Sequence, residues 1–244
     1  SGHGYVPVLD EAVVPDQICN ELKERRISKI FFIGQGTAGV AAQGCADLLD
    51  FYLADHDVVI RALKSSELSG FAIKNGENGQ QTMADTLVIA ISQSGTTTDT
   101  NRTVDMAKAA GARTLCIVNR RDSDLTFKTN GVLYTSSGRD IEMSVASTKA
   151  FYSQITAGAI LGLYLAYTLK IRSLEFITDE IQELLNLPDK MNAVLDMKEQ
   201  IRSSARRHAI PNQYWATVGS GANKTSADEI RIKLSELCYK TISS

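Results

Sequence analysis

Residues 91 to 100 read ISQSGTTTDT, six hydroxyl side chains with one Gly and one Asp, directly after the apolar run DTLVIA. Ser92, Ser94 and Thr97 crowd a loop that leads into a helix. The first amides of a helix lack an intrahelical acceptor and carry partial positive charge, so that position favours an anion. The hydroxyls add neutral donors, and Gly95 lets the backbone approach closely. No Lys lies in the loop. This set of donors suits a single phosphate better than a triphosphate with Mg²⁺. Ordinary N-capping by Ser94 or Thr96 would need only one such residue.

Two further stretches compete for chemistry. GQGTAG, Gly34 to Gly39, follows an apolar strand and opens a helix. Alone it matches the dinucleotide fingerprint, which also wants an acid at the end of the next strand. That strand, HDVVIRA, ends near Arg61 and Ala62 without one. NAD(P) binding is therefore not expected, and the glycines are read as a tight turn. The third stretch is GRDIEMSVASTKAF, before a long apolar helix. Ser147 and Thr148 are equally suited to capping that helix, and Glu142 and Lys149 to a solvated surface.

These loops need elements to hold them. KIFFIG, DVVIRA, TLVIAIS, TLCIV and GVLYTS are short apolar runs alternating with helical patterns, which predicts parallel strands joined by helices. The expected fold is α/β, three-layered, with a flavodoxin-like five-stranded parallel sheet. Ligands of such sheets bind beyond the carboxyl ends of the strands, where these loops fall. The chain then starts again: YWATVGSGANKTSADE shares the strand, Gly-x-Gly, helix grammar of IFFIGQGTAGVAAQG. The expected organisation is an N-terminal segment and helix (1–27), a first domain (28–170), a helical linker (171–211) and the cut-off start of a second domain (212–244), supplying one strand and one helix. Net charge is −2 with no basic block, which argues against nucleic acid. ITAGAILGLYLAY is too short to span a bilayer, so no membrane partner is expected. The four cysteines show no CxxC spacing, so no metal is expected and a reduced, cytoplasmic setting fits. His208, in RRHAIPNQ, is read as structural.

Together the loops resemble the SIS (sugar isomerase) domain family. SQSGTTTDT resembles its SQSGETADT phosphate loop. EMSVASTKAF resembles EIGVASTKAF, and ADEIRIKLSELCYKT the ALEGALKLKEISY helix, of the isomerase half of glutamine–fructose-6-phosphate transaminases. The resemblance covers about Ile18 to Tyr239 and makes 28–170 a first SIS domain. It implies that Ser92, Gln93, Ser94 and Thr97 hold the phosphate of fructose 6-phosphate or glucosamine 6-phosphate. It implies that Thr37, Ala38, Val145 and Ser147 line the sugar. Glu236 then matches the carboxylate that moves a proton between C1 and C2, and Lys233 a cation that steadies the enolate. By itself Glu236 reads as an exposed helix carboxylate. The sequence departs from the pattern at Gln35 (usually Cys), Ala38 (usually Ser) and Ser235 (usually Lys). No cofactor is implied, and a homodimer is. The alternatives are a non-catalytic phosphosugar-sensing module and another SIS isomerase or deglycase.

Overall fold

Strand β3 (Thr86–Ser92) is buried at all of its positions. A parallel strand covered on both faces reads as an unbroken apolar run, and TLVIAIS does. In the computed structural model, which describes residues 4–54, 56–73, 82–137, 146–238 and 240–244, β3 is the centre of a five-stranded parallel sheet. β1 (Lys29–Gly34) and β4 (Arg113–Val118) flank it, with β2 (Val59–Lys64) and β5 (Gly131–Tyr134) at the edges, in the order β2-β1-β3-β4-β5. This is the expected flavodoxin-like order.

Helices complete the layers. α2 (Thr37–Tyr52) and α6 (Lys149–Thr168) pack on each other over one face of the sheet. α1 (Asp16–Lys23) joins them, with Cys19 beside Tyr164 of α6. The opposite face carries the short turn α3 (Ser65–Glu67), α4 (Thr98–Ala109) and α5 (Asp124–Lys128). There Val88 and Ala90 of β3 pack with Val104, Ala107 and Leu125 in one apolar cluster. All of these elements lie in one compact unit, residues 7–173. The sequence reading set residues 1–27 apart. In the structure Val14, Ile18 and Leu22 are at most 1% exposed, so α1 is part of the core of this unit.

The second unit comprises residues 1–6 and 174–244. It holds α7 (Leu174–Asp196), α8 (Lys198–Ser204) and a π-helical turn Ala205–Ala209. β6 (Tyr214–Ala216), α9 (Ala222–Cys238) and β7 (Thr241–Ser243) follow. β6 and β7 pair in parallel. The expectation of one strand and one helix is thus one strand short. Thr241 and Ile242 are β-branched, and they return beside β6 after the α9 crossover.

The two Gly-x-Gly turns are built alike. Gly36 and Gly221 have φ of +57° and +54° with open space where a Cβ would stand. A Cβ on Gly34 would meet the Ala38 carbonyl oxygen at 2.5 Å, and one on Gly219 the Asn223 oxygen at 2.1 Å. Glycine is needed for conformation at one position and for close approach at the other, in both copies.

Candidate functional site

The loop from β3 to α4 is braced by its own hydroxyls. Ser92 is 2% exposed, and its Oγ accepts the Gly95 amide at 3.0 Å. Ser94 Oγ accepts the Thr96 amide at 3.3 Å and the Thr96 hydroxyl at 3.1 Å. A hydroxyl has one hydrogen to give and two lone pairs to receive with. These oxygens are used as acceptors, which leaves their hydrogens to donate. Gly95 has φ of +66°, and its carbonyl accepts from Leu125 N and Asn101 Nδ2 at 3.1 and 3.0 Å. Asn101, 7% exposed, also donates to the Thr97 carbonyl at 3.1 Å. The sequence reading missed Asn101, whose only signal is a polar amide in the first turn of a helix.

Thr97 is the N-cap of α4 and makes no side-chain cap bond. The residues proposed for simple capping, Ser94 and Thr96, bond to each other instead. The first-turn amides of α4 are therefore not consumed by a side chain, and that is what an anion at this position would require. The N-terminus of α2 is similar: Gly36 is its N-cap, without a side-chain cap, and Thr37 and Ala38, both half-buried, are its first two residues. Because β1 and β3 are parallel neighbours, these two helix starts stand side by side at the carboxyl end of the sheet.

Gln35 spans the gap. Its Nε2 donates to Asp99 Oδ2 at 3.1 Å and lies 3.3 Å from Ser66 Oγ, so it ties the β1 loop to α3 and to the first turn of α4. Ser65, fully buried, shares a hydrogen bond with Thr100 Oγ1 at 3.1 Å. The strand β2 continues to Lys64, two residues beyond the expected end, and Arg61 lies inside it opposite Phe31. Its last residue is thus Lys64, and the first carboxylate after it is Glu67 of α3. Among the described residues no cluster of three or more His, Cys, Asp or Glu is placed to hold a metal ion, and no helix is long and apolar enough to cross a membrane.

α6 begins at Lys149, again with no side-chain cap from Thr148. Ser147 is half-buried just before it. Val145 and Glu142 lie outside the described residues.

Lys233 and Glu236 are on α9 in the second unit, joined by a bond from Lys233 Nζ to Glu236 Oε2 at 2.9 Å. Glu229 Oε1 stands 3.6 Å from the same ammonium. Glu229 is 7% exposed and was not singled out from sequence, although its spacing of four from Lys233 puts both on one helix face. Lys233 is thus flanked by two carboxylates. His208 lies in an apolar groove of about 560 Å³ with Ile201, Tyr214 and Trp215.

Residues 77–164 match the SIS domain family. The chain is 32% identical over 233 residues to a glutamine–fructose-6-phosphate aminotransferase (isomerizing) of Corynebacterium glutamicum, covering 95% of this chain and 34% of that protein. A protein of the same name from Mycolicibacterium smegmatis is 34% identical over 232 residues, again 95% and 34%. The chain thus spans about a third of the length of these curated relatives. Among solved structures, the C-terminal domain of glucosamine-fructose-6-phosphate aminotransferase from Francisella tularensis superimposes with a TM-score of 0.80 at 24% identity, over 97% of this chain and 63% of that one. The domain match falls on the β3–α4 loop and the start of α6, and the likeness in sequence extends on both sides of it: the chain belongs to the SIS domain family.

Proposed function

We propose that this chain is the phosphosugar-binding isomerase region of a glutamine–fructose-6-phosphate transaminase, which in the intact enzyme makes glucosamine 6-phosphate from fructose 6-phosphate. The observation that carries the reading is the hydroxyl loop at Ser92–Thr97, whose oxygens brace the loop while the first turn of α4 is left without a side-chain cap. Ser92, Gln93, Ser94 and Thr97 hold the phosphate, and Thr37, Ala38, Val145 and Ser147 line the sugar. Glu236 carries the proton between C1 and C2, and Lys233 steadies the negative charge that develops on oxygen. The reading further takes 28–170 and 212–244 as two SIS units joined by a helical stretch at 171–211, in a cytoplasmic homodimer.

Calorimetric titration tests the ligand. Fructose 6-phosphate or glucosamine 6-phosphate should bind and free fructose should not. Ser92→Ala with Ser94→Ala removes at least two neutral hydrogen bonds, about 1 kcal/mol each. Affinity should then fall on the order of 30-fold. Equal affinity for the phosphorylated and free sugar would sink the reading. Sedimentation addresses association: a strictly monomeric chain at micromolar concentration removes the dimer.

A second reading, a phosphosugar-sensing module without turnover, is favoured by Ala38 and Ser235. They lack the hydroxyl and the ammonium that the family pattern has at those positions. Interconversion of glucosamine 6-phosphate and fructose 6-phosphate by the intact protein, abolished by Glu236→Gln, would exclude it.

A further inference from the structure

Strand β4 runs on into Asn119-Arg120-Arg121-Asp122-Ser123, beside the hydroxyl loop. The parallel pairing of β3 and β4 ends at Ser92 and Val118, and one further backbone bond follows it. The Arg120 amide donates to the Gln93 carbonyl at 3.1 Å, the bond that the next step of the register requires. That bond sets the Arg120 backbone beside Gln93, at the start of the hydroxyl loop. A second bond joins the two loops, Leu125 N to the Gly95 carbonyl at 3.1 Å, and within the β4 loop Ser123 Oγ donates to the Arg120 carbonyl at 3.0 Å.

The two arginines are differently occupied. The Arg121 guanidinium lies 4.2 Å from the centroid of the Tyr134 ring, and its Nη2 donates to the Ser136 and Ser137 carbonyls at 3.2 and 3.4 Å. That side chain is spent on holding the end of β5. Arg120 is exposed, and no ion pair or hydrogen bond engages its side chain among the described residues, although Asp122 and Asp124 follow it closely in sequence. Its backbone is fixed and its charge is uncommitted.

A phosphate monoester is close to dianionic at neutral pH. Hydroxyls and helix amides stabilise it but bring no full counter-charge, and residues 91–100 hold no cation. Asp99, in the first turn of α4, adds a negative charge at the same end of the sheet. A guanidinium is always charged and presents several donors in a fork that matches phosphate oxygens.

We propose that Arg120 is a specificity-determining residue that reaches from the β4 loop to the phosphate held by the β3–α4 loop and supplies the charge that loop lacks. The inference rests on the phosphosugar reading above. It makes binding in this chain selective for the doubly charged phosphate and sensitive to salt, whereas a loop of neutral donors alone would be less sensitive.

The test is calorimetric titration of the full chain with fructose 6-phosphate and, separately, inorganic phosphate, each at low and high salt, for the wild type, Arg120→Gln and Arg120→Lys. Arg120→Gln should bind both ligands about tenfold or more weakly, with a flatter salt dependence. Arg120→Lys should recover part of the affinity, because it restores the charge without the fork. Melting temperatures should stay together, since Arg120 braces nothing through its side chain. Affinity within twofold of wild type and an unchanged salt slope for Arg120→Gln would overturn the proposal and leave Arg120 a solvated surface charge. A wild-type chain that binds inorganic phosphate but not fructose 6-phosphate defeats the phosphosugar reading alone, and the phosphate titrations still decide Arg120. A chain that binds neither overturns both.

Discussion

Gly95→Ala is expected to lower the melting temperature by roughly 10 °C and to abolish phosphosugar binding. Two separate costs combine. Gly95 has φ of +66°, a conformation that costs an L-residue about 1 kcal/mol. The added Cβ would also stand 1.9 Å from Ser123 Oγ and 2.6 Å from Ser123 Cβ. Rotating the Ser123 hydroxyl away relieves the first contact and not the second, so the β4 loop must move or Gly95 must leave its place. Leaving is expensive, because the Gly95 amide is held by Ser92 Oγ and its carbonyl receives Leu125 N and Asn101 Nδ2. A total of about 3 kcal/mol is the expectation, which for a chain of this size gives the stated shift. Binding fails because the displaced atoms are those that set the Ser92 and Ser94 hydroxyls. The clash and the conformation can be separated. Gly95→Ala with Ser123→Gly removes both overlapping Ser123 atoms, leaving Val118 Cγ2 at 3.2 Å as the next neighbour. Thermal denaturation of the pair of variants should show the double variant more stable than Gly95→Ala alone, yet still below wild type. A single variant that melts and binds like wild type would mean that this loop is far softer than its bonding implies.

The parallel sheet could be read from the sequence because each strand is a local apolar run and the loops between them carry turn and capping chemistry. The site was legible to the extent that it is local. SQSGTTTDT marks a helix start that wants an anion, and the structure puts it at the carboxyl end of the central strand. Which hydroxyl caps the helix was not legible. Ser94 and Thr96 are both good caps by type, but their oxygens are drawn into a bond with each other, and that depends on the Gly95 turn. Gln35 was noted only as a departure from a family pattern. Its bonds to Asp99 and Ser66 cross from one loop to two others and leave no trace in spacing. Arg120 and Arg121 look equivalent in a string of letters, and only Tyr134 and the carbonyls after it tell them apart. The strand β7 was missed for a different reason. Three residues are too few to show a period, and their pairing with β6 is settled across the whole length of α9.

The least legible contact is also expected to be among the most important for stability. Glu21 of α1 has a side chain only 4% exposed, and Arg113 at the amino end of β4 grips it with both arms: Nε to Oε2 at 2.8 Å and Nη2 to Oε1 at 2.7 Å. Gln17 Nε2 donates to the same carboxylate at 2.9 Å. The residues are 92 apart in sequence, so no local pattern announces them. Hydrogen bonding to Arg113 holds the Glu21 carboxyl below the ordinary carboxylate range, against the opposing effect of burial. The consequence for pH follows from the sign of that shift. A depressed folded-state value means that the unfolded chain binds its proton more readily. The stabilisation is then complete above the unfolded value near 4.3 and is lost as pH falls through the folded one. Arg113→Ala should cost about 3 kcal/mol at neutral pH, because it leaves a buried carboxylate with Gln17 and only the distant Arg26, 4.0 Å away. Arg113→Met combined with Glu21→Leu removes both charges and should lie well above the single variant, since two apolar groups need no mutual compensation. Urea titrations at pH 7 and pH 4 distinguish the cases: the gap between wild type and Arg113→Ala should narrow at the lower pH, where the Glu21 of the variant takes up a proton and its burial ceases to be penalised. A gap that is constant across that range would mean that Arg113 acts through packing alone. The pair sits at the amino end of the strands, across the sheet from the hydroxyl loop, so phosphosugar affinity measured well below the melting temperature should be unchanged in both variants.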